Sequence, residues 1–255
     1  MVLVAERPTQ STHAMLPLTS WSFGKISRRM LHFFGTRHGP QYGGMNGEHG
    51  TVKAGDADFP VVVAIRQVHG TDVLSIDQPV KVGQKFFGGH DAVLTNQADT
   101  LLTVQTADCV PVLLMDPARG VMGAVHAGWR GAVHGIVAKS VRNMVERFDA
   151  GLASIHVAIG PSAGSCCYEI DTPVMNQMAP DVPDDSTILR RTGPGTGRLD
   201  LKKLIRWQAA SLGIAEDHIH TVDLCTICRP DLFFSYRREG KVHGSMISGI
   251  MLRNL

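Results

Sequence analysis

The chain has 255 residues, 44% of them hydrophobic, and its 25 basic and 23 acidic side chains leave a net charge of +2. That length and apolar content suffice for a substantial core, in one large domain or two small ones. Because the sequence contains no basic run and no basic patch interleaved with aromatic residues, we expect no nucleic-acid partner. No stretch approaches the ~18 apolar residues that cross a membrane, so we expect no membrane insertion either.

The N-terminal end of the chain predicts a loose arm. Residues 1–14 are rich in Thr, Ser and other polar side chains, which is typical of a flexible terminus. Residues 1–8 are too short and too soon charged to act as a signal peptide. Five cysteines, an odd number, favour a reducing compartment. We therefore predict a cytoplasmic protein with an arm at 1–14 and one domain at 15–255.

Apolar runs predict the strands of a buried core. The first four are mostly apolar, as in strands covered on both faces, and lie at 61–65, 101–104, 111–115 and 123–125. Four more are predicted at 155–159, 219–224, 233–236 and 246–252. Residues 181–197 end in a glycine cluster that follows no clear strand, so we predict a flexible loop there and not a phosphate-binding turn.

Two helices are predicted from apolar spacing. One runs to about residue 148 and begins near 129–131, where its N-terminal N–H groups and positive dipole end would favour an anion. The other begins after Asp200, a plausible N-cap. Its expected buried residues are Leu201, Leu204, Ile205 and Leu212.

Three side chains near the ends of apolar runs suggest a metal centre. They are His69, Cys109 and His126, each followed by Gly or Pro within two residues. Two imidazoles and one thiolate suit Zn²⁺, and three protein ligands leave a fourth position for water or substrate. A rigid scaffold presents functional groups in this way at a sheet edge. The pattern therefore predicts a catalytic metal centre, not a structural one.

A metal-free interpretation of the same residues remains open. A lone Cys or His is most often a packed or hydrogen-bonded residue. Alternatively, His126 could activate Cys109 as the nucleophile of a hydrolase, with Asp108 orienting the base. His69 favours the metal, because a catalytic Cys–His pair would not require a second histidine.

Five strings resemble the laccase-domain family, which is also described as polyphenol oxidase-like, as purine nucleoside phosphorylase and as the bacterial peptidoglycan editing factor. They are QVHG, TADCVPVLLMD, HAGWRG, IGPSAGSCCYEI and FFSYRREG, and the resemblance extends from about His32 to the C-terminus. It implies a single α+β domain with mixed β-sheets in the centre and helices packed outside. It also implies that His69, Cys109 and His126 are zinc ligands.

The function implied by the resemblance is zinc-dependent phosphorolysis of adenosine, inosine or 5′-methylthioadenosine, and deamination of adenosine. Purine nucleosides and phosphate would be the partners. We expect Cys109, Asp108 and Arg130 to act in catalysis, with Asp108 as orienting residue or proton shuttle, and Arg37 and Arg130 to bind substrate. The chain departs from the family pattern near Arg37 and at Ser245, which stands where an Arg is usual. That loss of an anion contact affects the substrate, not the metal site.

Other functions are kept as alternatives. Cys109 could serve an amidase or editing hydrolase of peptidoglycan precursors. Copper-dependent oxidation of phenols is less favoured, because the only His-x-His pair is His218–His220. A binding module merely braced by zinc is the non-enzymatic alternative.

The remaining cysteines give no strong signal. Cys225 and Cys228 form a CxxC without a second such motif, so we predict ordinary, partly buried thiols. Cys166 and Cys167 are expected to form part of the wall of the active cleft.

Overall fold

The computed structural model describes residues 29–42, 52–54, 57–58, 61–82, 84–178, 187–241 and 243–254. The predicted arm at 1–14 lies outside this part of the chain. In chain order the strands are β1 (Met30–Phe33), β2 (Gln41–Tyr42), β3 (Val52–Ala54), β4 (Ala57–Asp58), β5 (Val62–Ala64), β6 (Val73–Ile76), β7 (Ala92–Thr95), β8 (Leu101–Thr106), β9 (Val110–Asp116), β10 (Val121–Ala127), β11 (His156–Ile159), β12 (Glu169–Asp171), β13 (Leu189–Gly193), β14 (Thr196–Leu199), β15 (Ile219–Thr221) and β16 (Met246–Leu252). The α-helices of the described residues are α1 (Trp129–Val133), α2 (Ile136–Phe148), α3 (Thr172–Met175), α4 (Leu201–Ser211) and α5 (Tyr236–Glu239).

Two mixed sheets form the centre of the domain. One has the order β1-β16-β8-β5, and the other has the order β15-β11-β9-β10-β7-β6. Each sheet combines antiparallel and parallel pairs: β5 with β8 is parallel in the first, and β6 with β7 and β11 with β15 are parallel in the second. Smaller three-stranded sheets, β12-β14-β13 and β2-β3-β4, complete the described part. The expected α+β architecture, with mixed sheets inside and helices outside, is confirmed.

Strand β9 shows how the layers are held together. All seven of its residues are buried. Leu113 and Met115 pack toward the first sheet, against Leu102 and Ile250. Val110, Val112 and Leu114 belong to the core on the opposite face, which contains helices α2 and α4. Because successive side chains alternate between two buried faces, this strand appears in the sequence as a continuous apolar run.

The helix predicted after residue 129 is interrupted, so the prediction of one helix to residue 148 is wrong. Gly135 has φ 74°, in the left-handed region, and separates the five-residue α1 from the thirteen-residue α2. Helix α2 buries one face, including Ile136 and Met144. Helix α1 has too few aligned peptide units to provide the dipole that we expected beside the metal.

Helix α4 confirms its predicted start. The Asp200 carboxylate accepts a hydrogen bond from the backbone N–H of Lys203 at 3.1 Å. Leu201, Leu204 and Ile205 are buried, and Leu212 lies just beyond the helix and packs against the same core.

Three other predictions are corrected. The part of 181–197 that is described forms a hairpin of β13 and β14, with Gly195 at φ 74° in its turn. Strand β13 is largely exposed and contains two adjacent arginines, so it lacks the alternation that would have identified it, and β14 is only four residues long. Residues 233–236 form no strand: the N–H groups of Leu232 and Phe233 both bond to the Arg229 carbonyl in a turn, and Ser235 caps α5. The strand predicted at 219–224 ends at Thr221.

Among the described residues, the helices are all too short or too polar to cross a membrane.

Candidate metal centre and cleft

The three predicted ligands meet between the two central sheets. Cys109 lies in the turn that carries the chain from β8, in one sheet, to β9, in the other. His126 lies in β10 opposite Pro111 of β9, and His69 lies in the connection from β5 to β6. Their ligating atoms all lie within 4.8 Å of one another. The group therefore sits where the chain crosses between sheets, not at the edge of one sheet as expected.

The mutual orientation of the ligands is well defined. The Cys109 sulfur lies 3.8 Å from Nε2 of His69. The rings of His69 and His126 are in edge-to-face contact, with centroids 4.8 Å apart and planes at 87°. We call these residues the three-ligand group.

Asp91, which the sequence analysis missed, organises both histidines. Its Oδ1 accepts a hydrogen bond from Nδ1–H of His126 at 2.7 Å and from the backbone N–H of His69 at 2.9 Å. Its Oδ2 accepts from the N–H groups of Gly70 and Val68 at 2.7 and 3.2 Å. One buried carboxylate therefore fixes the ring of one ligand and the backbone of the other. A charged residue directly before a buried strand was the signal that could have identified it.

The backbone at His69 adopts a conformation that few side chains favour. Its φ is 60°, in the left-handed region, and the three consecutive N–H groups bound to Asp91 compensate for this strain.

Glycine at position 128 is required by the packing of the group. A Cβ there would lie 2.8 Å from Cδ2 of His69 and 3.3 Å from the Cys109 sulfur. Its φ of −66° is open to any residue, so space and not backbone conformation demands glycine. The HAGWRG string thus combines a ligand with the glycine that makes room for the other two.

The electrostatics of the group favour a thiolate beside an imidazolium. Burial alone would raise the pKa of the Cys109 thiol, but hydrogen bonds and positive charge from His126 and His69 lower it to about 7. Burial opposes protonation of His126, yet Asp91 and Cys109 raise its pKa to about 9. Burial would also raise the pKa of Asp91, and the hydrogen bond from His126 brings it below the ordinary value.

The donor set fits a metal ion. His126 gives its Nδ1–H to Asp91, so a metal that displaces the proton on Nε2 would find a ligand held as in carboxylate–histidine–metal triads. The low pKa of Cys109 matches the requirement for a deprotonated sulfur. Within the described ranges, no fourth Cys, His, Asp or Glu completes the group. Three ligands with an open side are typical of a catalytic centre.

The group opens into a cleft of about 720 Å³. This volume is within the usual range for a small-molecule site. Its wall beyond the ligands includes three aromatic and two cationic side chains, which are Trp129, Tyr168, Tyr236, Arg130 and Arg237.

Asp108 contacts the cleft but has no free carboxylate oxygen. Its Oδ1 accepts from the Thr226 hydroxyl at 2.5 Å, and its Oδ2 accepts from the Ser235 hydroxyl at 2.9 Å and the Arg237 N–H at 2.7 Å. These bonds tie the turn that carries Cys109 to two C-terminal segments. The contacts favour the orienting role over the proton shuttle.

The two predicted anion-binding arginines lie in different places. Arg130 lines the cleft, with its guanidinium 4.4 Å from the Trp129 ring centroid. Arg37 is not among the lining residues: its guanidinium donates to the Pro230 carbonyl and lies 4.9 Å from the Phe234 ring centroid. Arg237, which the sequence analysis did not select, lines the cleft instead.

Ser245, which stands where the resemblance led us to expect an Arg, lines the cleft. Its hydroxyl donates to Oε1 of Gln105 at 2.7 Å. Gln105 in turn is held through its backbone by both amide atoms of Gln67, from the QVHG string. The serine therefore supports a polar wall but brings no positive charge.

The His-x-His pair, His218 and His220, lies apart from the three-ligand group and packs against His156. His218 stacks on His156 with centroids 3.8 Å apart, and His220 is 6.0 Å from the same ring. The pair does not join the three-ligand group.

The four remaining cysteines form a compact cluster, which the sequence analysis did not foresee. Cys166, Cys167, Cys225 and Cys228 place their sulfur atoms within 4.8 Å of one another. Tyr168 lines the cleft, whereas Cys166 and Cys167 are not among its lining residues.

Comparison with known proteins identifies the family. Residues 50–253 match the family described as multi-copper polyphenol oxidoreductase laccase, and the chain belongs to it. The resemblance expected from the motifs is thereby confirmed.

Named relatives have one activity in common. The chain is 37% identical over 194 residues to purine nucleoside phosphorylase YlmD of Geobacillus stearothermophilus, covering 74% of this chain and 71% of that protein. It is 40% identical over 179 residues to a purine nucleoside phosphorylase of Corynebacterium glutamicum, covering 70% of each.

Solved structures share the fold over most of their length. The crystal structure of YlmD from Geobacillus stearothermophilus superposes with a TM-score of 0.73 at 30% identity, covering 89% of this chain and 93% of that one. A Bacillus licheniformis hypothetical protein, YfiH, gives 0.76 at 26% identity, covering 89% and 94%.

Proposed function

We propose that this protein is a purine nucleoside phosphorylase that works in the cleft beside the three-ligand group. The observation that carries the proposal is the arrangement of two arginines and three aromatic rings around an open metal-binding group. Relatives named purine nucleoside phosphorylase support the substrate class. Adenosine, inosine and 5′-methylthioadenosine are the substrates we propose.

The cleft offers suitable side chains for both substrates of this reaction, the purine nucleoside and inorganic phosphate. A purine is flat and aromatic, and Trp129, Tyr168 and Tyr236 offer surfaces on which it can stack. Inorganic phosphate is an anion, for which Arg130 and Arg237 supply donors in fixed forks. A phosphate oxygen forms a bond to C1′ of the ribose while the C1′–N9 bond to the purine breaks. The departing purine takes up one proton, from phosphate or water, to become the free base. The other product is ribose 1-phosphate, or 5-methylthioribose 1-phosphate when the substrate is 5′-methylthioadenosine.

The chain's own residues provide positioning and charge. Holding phosphate near the ribose turns a reaction between two solutes into one between groups already aligned. The guanidinium groups also balance the negative charge of phosphate during attack. Asp108 positions Arg237 through its hydrogen bond to that residue's N–H, and so acts on the anion indirectly.

Zinc is the metal that we propose for His69, Cys109 and His126. The mixed imidazole and thiolate set suits it, and when bound it supplies Lewis acidity and a lowered pKa for water. Copper can also use two His and one Cys, but oxidation by several coppers requires more clustered histidines. Deamination of adenosine is a second proposed reaction, supported by the ligand position that the group leaves open: water adds at C6 of the purine and ammonia leaves.

The decisive assay supplies adenosine with and without phosphate and separates the products by chromatography. We expect adenine and ribose 1-phosphate only with phosphate, and inosine in either case. His126→Ala should abolish all products, whereas His134→Ala, at an exposed position outside the cleft, should not. If the wild-type protein forms neither adenine nor inosine above the His126→Ala background, the proposal fails.

A thiol hydrolase is the second candidate, because Asp91, His126 and Cys109 are arranged like a catalytic triad. Asp91 orients the His126 ring, and His126 in turn hydrogen-bonds the Cys109 thiol, whose pKa is lowered to about 7. Its substrates would be amides of peptidoglycan precursors. Chelation separates the candidates: a thiol hydrolase keeps its activity without metal and loses it on alkylation. Amidase activity no higher in zinc-free than in alkylated protein would eliminate this candidate.

We propose that the protein is cytoplasmic. The described cysteines are free thiols, which is the state that a reducing compartment maintains.

A further inference from the structure

The cysteine cluster consists of Cys166, Cys167, Cys225 and Cys228 and joins two turns that are distant in sequence. Cys166 and Cys167 lie in the turn between β11 and β12, whereas Cys225 and Cys228 lie in the turn that follows β15. The Cys228 sulfur is 3.3 Å from that of Cys167 and 3.6 Å from that of Cys166. All four sulfurs lie within 4.8 Å of one another.

These separations match those of a closed tetrahedral site. Zinc–sulfur bonds of about 2.3 Å in a tetrahedron place the sulfur atoms about 3.8 Å apart. Disulfide bonds would bring sulfur atoms to about 2.05 Å of each other, whereas the Cys228 sulfur lies 3.3 and 3.6 Å from two sulfurs at once. Four sulfurs around one point are the ligand set of a structural zinc site.

Packing does not explain the cluster. Free cysteines are usually buried as small apolar residues. Here Cys166 and Cys228 are exposed, and the other two are only half-buried. The cluster therefore contributes little to the apolar core, although it gathers four of the five cysteines of the chain.

A backbone amide and an arginine lie against two parts of the cluster. The backbone N–H of Gly164 donates to the Cys225 sulfur at 3.3 Å. Amide donors stabilise thiolate ligands in this way. The guanidinium of Arg198 donates to the Cys166 carbonyl, so a positive charge lies beside the cluster.

We propose that Cys166, Cys167, Cys225 and Cys228 bind a second, structural zinc ion as four thiolates. Binding releases four thiol protons and gives a centre of net charge −2, with no redox step. Because all four positions are taken by sulfur, this ion has no open site for substrate.

The site would hold together two segments of the cleft. Cys167 directly precedes Tyr168, which lines the cleft. Cys225 directly precedes Thr226, whose hydroxyl donates to Asp108 beside Cys109. Arg238 braces the same turn by donating to the carbonyls of Thr226 and Ile227. The second zinc therefore cross-links the two turns, and this structural role does not depend on the reaction that the cleft performs.

Metal content of the purified full-length protein tests the proposal. We expect two zinc ions per chain in the wild-type protein, one in Cys228→Ser, one in Cys109→Ser and none in the double variant. If Cys228→Ser keeps the zinc content of the wild-type protein, the proposal is wrong. It is equally wrong if the wild-type protein, purified under reducing conditions, shows a disulfide between these cysteines by mass spectrometry.

The Cys228→Ser variant could fail to fold, so a second experiment uses Cys109→Ser, in which all four cysteines of the cluster are intact. Its zinc is replaced by cobalt. We expect one bound Co²⁺ with the intense near-ultraviolet absorption of several thiolate ligands. Absence of that band, in protein whose circular dichroism matches the wild type, overturns the proposal. The proposed nucleoside reaction can fail independently, since Cys109→Ser is expected to lose activity while it keeps this second ion.

Discussion

The Asp91 carboxylate and the His126 imidazole are joined by a hydrogen bond of 2.7 Å in a fully buried position, with side-chain exposures of 0% and 3%. The bond holds the proton on Nδ1 and directs Nε2 toward the other ligands. The same carboxylate binds the backbone of His69, so a single residue sets the geometry of two of the three ligands.

Substitution of Asp91 should therefore weaken metal binding and the fold together. In Asp91→Asn, the amide group cannot accept from all four donors, and one N–H or the ring is left without a partner. We expect metal affinity to fall roughly 10- to 100-fold and the free energy of unfolding to fall by about 1–3 kcal/mol. Metal titration and denaturant unfolding would measure the two effects.

Asp116 provides a matched control for that experiment. It is also fully buried, and its carboxylate accepts from the N–H groups of Ala118, Arg119 and Gly151. Asp116→Asn should lower stability without changing metal affinity. An equal loss of metal in both variants would show that Asp91 acts only through general stability.

Asp108 should behave as a positioning residue. Asn tolerates its φ of 89° but accepts fewer hydrogen bonds than the three that Asp108 receives. In Asp108→Asn we expect the KM for phosphate to rise roughly 3- to 10-fold, as for one lost neutral hydrogen bond, with kcat and metal content nearly unchanged. Steady-state kinetics across pH would check this.

The alternative for Asp108 predicts a different result. A proton shuttle would lower kcat and alter its pH profile while leaving the KM for phosphate intact. Asp99→Asn, at another non-glycine residue of positive φ, serves as the control for backbone effects and should match the wild type.

Arg130 and Arg37 form a matched pair because each stacks on an aromatic ring but only Arg130 lines the cleft. In Arg130→Met we expect the KM for phosphate to rise about 10- to 100-fold, the equivalent of a lost charge-assisted hydrogen bond of about 1.5–3 kcal/mol. Arg37→Met should leave it within about twofold of the wild type. Phosphate titrations of both variants decide the matter; the reverse order of effects would place the anion outside this cleft.

The histidine stack should make the protein sensitive to mild acid. Burial, together with His218 and His220, lowers the pKa of His156 from 6.5 to about 4, and the nearby Asp217 and Asp116 only partly oppose this. Between pH 6.5 and 4 the unfolded chain therefore binds a proton that the folded chain does not, and stability falls as the pH falls. The lowered pKa of His220 acts in the same direction.

Thermal unfolding over this pH range measures the effect. His156→Phe should show a shallower decrease in melting temperature than the wild type. His134→Phe, which changes an exposed histidine, should keep the wild-type slope. If all three proteins have the same slope, the stack does not contribute to acid sensitivity.

Local sequence determined the elements whose residues are uniformly apolar or carry a cap. Strand β16 occurs at the predicted residues 246–252, and Asp200 caps α4 as expected. The three ligands could be selected because each lies near the end of such a run, and because the surrounding strings are specific to a family. These features depend on short-range periodicity and on residue chemistry, which the sequence displays directly.

Only the tertiary structure decided which distant residues come into contact at the two sites. No local pattern assigns β8 and β9 to different sheets, yet that crossing places Cys109 between His69 and His126. Asp91 and the cysteine cluster act through contacts between residues 21 to 62 positions apart. Such contacts depend on how strands pair and pack, and pairing is a property of the whole chain, whereas secondary structure follows from neighbouring residues.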